Sequence, residues 1–483
     1  MKTIKYIIQL IAVTVMTFSG YSCVKIDEPS AYSEVTEYPE IYPDYINVTI
    51  PVNIAPLRFG IENAADESVV VIEGKNGKSV IGAEDNKFLI KEKDWKQIVG
   101  QSAGDSVCVR VYSKKEGKWF AYKPFSWYIS HDEIDQWLGY RLIAPGYELW
   151  NKMGIYQRNL STYSENVIIS NENTENNCIN CHSFSNNSPE NMSFHMRAKL
   201  GGTYIKKEGN IKKIIPSEIS KVKSFVYPSW HPSGRYIAYS SNDTKQAFHL
   251  SDSNRIEVYD LSSDVIVFDT QAQKVLTDSL LFSSSSFETF PAFTPDGKSL
   301  LFCTAEKRNM PQEFKEVKYS ICSIGFDPIS GTFSSSVDTI YNCNIDNGSA
   351  SFPRVSPDGK FMVFTKSNYG NFSIWHKESD LYIYDYENKT ISEMKEANSN
   401  DVDSYHSWSS NSRWLVFSSR RMDGLYTSPY IVHIDKNGKC SKAFVIPQED
   451  PDFYKKFMYS FNIPELVKEK VEVDTKELLK VCK

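Results

Sequence analysis

At 483 residues the chain exceeds what one ordinary core organises, so at least two domains are expected. Hydrophobic content of 41% and charged content of 24% are those of a water-exposed globular protein, and 29 tyrosines and 27 phenylalanines lean towards strands. With 54 basic against 60 acidic residues, the net charge of −6 gives no electrostatic ground for a nucleic-acid partner.

In chain order, Lys2 and Lys5 precede a short apolar run, followed by Ser19-Gly20-Tyr21-Ser22-Cys23. A charged start, a brief apolar core and small residues predict an export signal over 1–22, too short for a membrane span. Cys23 resembles the acylated first residue of mature bacterial lipoproteins. That resemblance implies a lipid anchor in a bacterial cell envelope, facing the periplasm or on the outer-membrane surface. Residues 23–45 are acidic and carry Pro29, Pro39 and Pro43, which predicts an extended tether.

From 46 to 135, strand-like runs at 48–52, 68–72, 87–90, 107–112 and 118–122 predict a small β-sandwich of immunoglobulin-like type. His131, with Asp132, Glu133 and Asp135, reads as a solvated charge cluster in a connector. The remainder, 136–470, repeats. Tyr227-Pro-Ser-Trp-His-Pro-Ser-Gly-Arg-Tyr-Ile-Ala-Tyr239 has counterparts beginning at Phe290, Phe352 and Tyr405. Each is a short strand, a Pro-Asp-Gly type turn in which Asp296, Asp358 and Asn411 are equivalent, and an apolar strand. Trp230, Phe293, Val355 and Trp408 match one another and are expected to pack between blades. These segments resemble the repeat of TolB-like six-bladed β-propellers. The whole fold is therefore expected to be all-β, a sandwich followed by such a propeller, with a tail over 471–483.

A fifth copy aligns His182-Ser183-Phe184 with His406-Ser407-Trp408, and 192–197 with 235–240. The sixth blade is expected from outer strands at 154–160 and 166–170, joined by inner strands from 453–467, so that the chain ends close the ring.

Within the fifth copy lies Cys178-Ile-Asn-Cys-His182, a C-x-x-C-H sequence of the kind that attaches c-type haem. It predicts one covalent haem c, with Cys178 and Cys181 as thioether links and His182 as an axial iron ligand. Zinc held by Cys178, Cys181 and His182 or His195 is the alternative cofactor. A redox dithiol, a structural disulfide and an unoccupied motif are further readings. The distal iron ligand is left open among His195, Met196, Met192 or a remote residue. The propeller group resembled carries a Phe-His-x-Arg segment like Phe194-His-Met-Arg197, which implies a functional His195. A flat hairpin would instead set His195 opposite His182, too close for two axial ligands. Of the other thiols, Cys303 and Cys322 fall on successive strands and are the expected bridge; unpaired buried thiols are the alternative.

No Ser-His-Asp order, H-E-x-x-H helix or phosphate loop is present. Two functions follow: an electron carrier serving a redox partner protein, or a TolB-like scaffold binding a protein, peptide or glycan on the propeller face. Either is expected ahead of a hydrolase.

Overall fold

The computed structural model describes residues 26–63, 65–144, 152–222 and 224–482. The signal and the Cys23 anchor lie outside the described residues.

The propeller is six four-stranded sheets. The second strand of each repeat hairpin is a near-continuous apolar run, such as Phe361-Met-Val-Phe364, because both faces of every blade are covered by neighbours. Phe361 and Val363 enter one core while Met362 and Phe364 enter the next. The first blade is built from Cys178–Phe184, Asn191–Arg197, Gly202–Lys207 and Asn210–Ile214. Four more blades start at Val226–Trp230, Ser286–Phe293, Ser349–Val355 and Asp403–Trp408.

The sixth blade closes the ring. Its order is Ser460–Val467, Trp137–Ile143, Gly154–Asn159 and Glu165–Ser170. Only one strand comes from the C-terminal stretch, not two: Phe453–Lys456 is a short helix, and Trp137–Ile143 supplies the second strand. The tail is also ordered. Helix Thr475–Cys482 buries Leu478 and Cys482 against the core shared by the first and sixth blades.

The turn chemistry works as the repeats imply. The Asp296 carboxylate accepts from the Lys298 amide and the Thr294 hydroxyl, Asp358 from Lys360 and Ser356, and the Asn411 carbonyl from Arg413 and Ser409. Trp230 and Trp408 donate their indole N–H to the carbonyls of Ser183 and Arg354 on the preceding blades. They are inter-blade packing residues.

The N-terminal unit sets a seven-stranded sheet and a three-stranded sheet around Phe59, Phe88, Val109 and Trp127. Helix Glu92–Gln101, absent from the sequence reading, covers that core with Trp95, Ile98 and Val99. The connector is clipped down at two of its acids, while His131 and Glu133 are exposed as expected. Asp135 accepts from the Ser410 amide and hydroxyl, and Asp132 lies 2.8 Å from His433 Nε2, both on the fifth blade.

The expected Cys303–Cys322 bridge is corrected. Cys303 pairs across the sheet with Ile321, and Cys322 with Phe302. The two thiols therefore leave opposite faces of the third blade, Cys303 into one core and Cys322 into another.

Candidate functional site: the axial cavity

Every innermost strand bulges at the same place. Cys181, Tyr227, Phe290, Phe352, Tyr405 and Ile463 all take left-handed φ, between 47° and 54°. Pairing with the neighbouring strand slips at each of them. A bulge re-aims its side chain, and here six bulges point inward around one axis. Four contribute aromatic rings that form a plug. Centroids are 4.4 Å apart for Tyr227–Phe290, 4.1 Å for Phe290–Phe352 and 4.5 Å for Phe352–Tyr405. The first blade offers a thiol instead, Cys181, and the sixth Ile463. The plug is one-sided, and a cavity of about 370 Å³ opens beside the smaller pair.

Cys178, Asn180, Cys181, Tyr227, Tyr405 and Ile463 form part of its wall, with Arg141, Arg197 and Arg420 among them. Among the described residues no Asp or Glu lines it. Arg420 is fixed: its Nε donates to the Ile374 carbonyl at 2.8 Å, and its guanidinium stacks 3.4 Å over the Trp375 ring. Burial pulls its pKa down to about 10, so it stays charged at neutral pH. Among the described residues Arg141 makes one long contact, 3.4 Å to the Ile179 carbonyl, and Arg197 is exposed at its end of the strand. Asn180, only 7% exposed, has an Oδ1 without a hydrogen-bond partner, as does Asn462. Burial raises the Cys181 thiol above its usual range, so it is a neutral wall group.

The roof comes from the second blade. Strands Tyr236–Phe248 and Ile256–Asp269 run far beyond the blade as a long hairpin. Thr244, Gln246, Ile256 and Val258 face the cavity. Glu257, on the other face, accepts from the Tyr369 hydroxyl and lies 3.0 Å from His376 Nε2 on the fourth blade. Asp260 accepts from Asn242 (2.9 Å), Asn371 (2.7 Å) and Tyr319 (3.3 Å). The hairpin is thus a strap tied across the third blade by buried polar bonds. Nothing in the repeat pattern announced it.

This geometry overturns the cofactor expectation. Among the described residues, no three His, Cys, Asp or Glu side chains are grouped to hold a metal ion, which removes the zinc alternative and leaves an iron centre at Cys178, Cys181 and His182 without support, although all three border the axial cavity. His182 explains why. It is 2% exposed and packs against the Gly139 and Ile463 backbone of the sixth blade, where burial pushes its pKa down to about 3. His406, its counterpart in a blade without cysteines, is equally buried, has the same pKa of about 3, and hydrogen-bonds the Val363 carbonyl at 2.9 Å. Both imidazoles wedge between blades, but His182 Nε2 has no hydrogen-bond partner and His182 also lines the axial cavity. Gly139 leaves room for the nearby Phe184: a Cβ there would stand 2.7 Å from its ring.

The distal candidates fail as well. The bulge sets His195 opposite Asn180, and its Nδ1 is 3.1 Å from the Thr203 hydroxyl. Met192 and Met196 leave the other face of the strand and are fully buried with Ile155, Ile179 and Phe194. None of the three lines the cavity. Haem c is not a cofactor that these residues fit.

No protein-family model matches the chain. It is 26% identical over 149 residues to dipeptidyl-peptidase 5 of Porphyromonas gingivalis, covering 30% of this chain and 18% of that protein. The chain thus spans less than a fifth of the curated relative it matches. Among solved structures, an oligogalacturonate lyase in complex with manganese aligns at TM-score 0.34 and 8% identity, over 66% of this chain and 89% of that one. A puromycin-hydrolysing peptidase of Mycobacterium tuberculosis aligns at 0.35 and 11%, over 86% and 57%. Dipeptidyl peptidase 4 of P. gingivalis aligns at 0.29 and 10%, over 78% and 60%.

Proposed function

We propose that this protein is an envelope-anchored binding scaffold whose propeller holds a short peptide in the axial cavity beside Cys181. The observation that carries the reading is the break in the aromatic plug. Four blades fill the axis with rings, and the space left by the thiol lies in the size range of small-ligand sites. Its lining mixes aromatic walls (Tyr227, Tyr405, Phe372, Trp375) with side-chain amides (Asn180, Gln246, Asn462). Such amides match the donor and acceptor of a peptide bond. The partial likeness to a protein named as a dipeptidyl-peptidase supports a peptide ahead of a glycan. Export through residues 1–22 and acylation of Cys23 belong to the same proposal.

The test fills the gap. Cys181→Phe restores the aromatic found in the next four blades, at a backbone position where those blades already carry Tyr or Phe. Equilibrium dialysis against a pool of short peptides is expected to show retention by wild type and loss of at least tenfold in C181F. Equal retention by both proteins overturns the reading.

A further inference from the structure

The cavity has a chemical bias that the scaffold reading does not use. In a chain of net charge −6, its described lining holds three arginines and no carboxylate. Arg420 is committed to the Ile374 and Leu425 carbonyls and to Trp375. Arg141 and Arg197 carry no ion pair among the described residues, so within that part of the chain two guanidiniums border the cavity without a carboxylate partner. The field of Arg141 reaches the wall, where it adds to burial in lowering the His182 pKa. Guanidinium forks favour planar, bidentate anions, above all carboxylates.

A second observation narrows the class. The Oδ1 of Asn180, nine-tenths buried, and that of Asn462 reach the same cavity without a donor. A bare inorganic anion leaves both unsatisfied, at the usual cost of a buried orphan acceptor. A ligand that suits the site therefore presents a carboxylate and an amide N–H within one short span. Apolar wall groups, Ile256, Val258 and Trp375, complete the enclosure for a side chain.

We infer that the axial cavity recognises the free C-terminus of a peptide, with Arg141 and Arg197 on the terminal carboxylate and Asn180 accepting from the last peptide N–H. This rests on the peptide-scaffold reading and adds polarity and charge to it. The volume suits two or three residues, so the terminus of a short peptide is seated and the rest of a longer one leaves past the strap.

The experiment uses the full mature chain, immobilised, and a mixture of tripeptides prepared twice, with free and with amidated C-termini. Retained peptides are quantified by mass spectrometry. Free termini are expected to be retained about tenfold or more over amidated ones, and raised salt is expected to narrow the difference. Arg197→Gln and Arg141→Gln, each checked for an unchanged circular dichroism spectrum, are expected to erase the preference. Arg197 is exposed, so its variant keeps the test independent of folding. Equal retention of amidated and free peptides overturns the carboxylate assignment and leaves the scaffold reading standing. Retention of neither form overturns both.

Discussion

At position 181 a thiol stands where Tyr227, Phe290, Phe352 and Tyr405 put rings on the axis, and the cavity opens beside it and Ile463. A phenylalanine there gains apolar contact without a new backbone strain, because the bulge is already paid for by the fold. C181F is accordingly expected to melt no lower than wild type, by calorimetry, while losing ligand retention. Thiol chemistry gives a separate check: Cys303 and Cys322 are buried on opposite faces of one blade. Alkylation after unfolding without reductant is expected to modify both; a 303–322 linked peptide contradicts the strand register. Much of this was legible in the sequence. The alignment of His182 with His406 already set Cys181 in a column of aromatics. The C-x-x-C-H spacing drew attention to iron chemistry instead, because spacing alone does not reveal that His406 fills the same inter-blade slot. The arginines of the cavity were invisible, since Arg141, Arg197 and Arg420 lie on three different blades and converge only once the ring closes.

The element that decides access is the strap. Its hairpin period was readable, but its length beyond the blade was not, because polar residues such as Asn242, Asp243 and Thr244 read as loop. Inside the fold they pair, and Glu257 and Asp260 anchor them. Glu257→Gln keeps the shape but weakens the bonds to Tyr369 and His376, an expected loss of about 1–3 kcal/mol in strap stability. Faster hydrogen exchange over 244–258 would record it, and unchanged exchange would contradict the anchoring role. Asp260 gives the strap a pH dependence. Burial raises its pKa from 3.8 to about 6. The folded value lies above the unfolded one, so the native state keeps the proton longer. Stability from this group is greatest below pH 3.8 and declines as pH rises towards 6. The shift corresponds to at most about 3 kcal/mol. The stability difference between wild type and Asp260→Asn is expected to fall by up to that amount from pH 4 to pH 7, read from urea unfolding at each pH. A difference that does not vary with pH contradicts the burial of a titrating carboxyl.

The whole molecule depends on its ends meeting. Ser460–Val467 pairs with Trp137–Ile143 and completes the sixth blade, so the ring has no open edge between first and last repeat. The four obvious hairpins foretold this closure, and the fifth and sixth blades were recoverable by alignment and by counting. The detail that only one strand returns was not, since the aromatics Phe453, Tyr454 and Phe457 suit a strand as readily as the short helix that begins there. Deleting 460–483 is expected to abolish the cooperative thermal transition; a retained transition contradicts closure by that strand. For the proposed anchor, labelled fatty acid is expected on wild type and absent from Cys23→Ser.

The most direct test of the account is native mass spectrometry of the mature protein with short peptides bearing free carboxyl termini. One peptide per wild-type chain and none on C181F is the predicted result. The same occupancy on both proteins would contradict the claim that the gap in the aromatic ring is where this propeller binds.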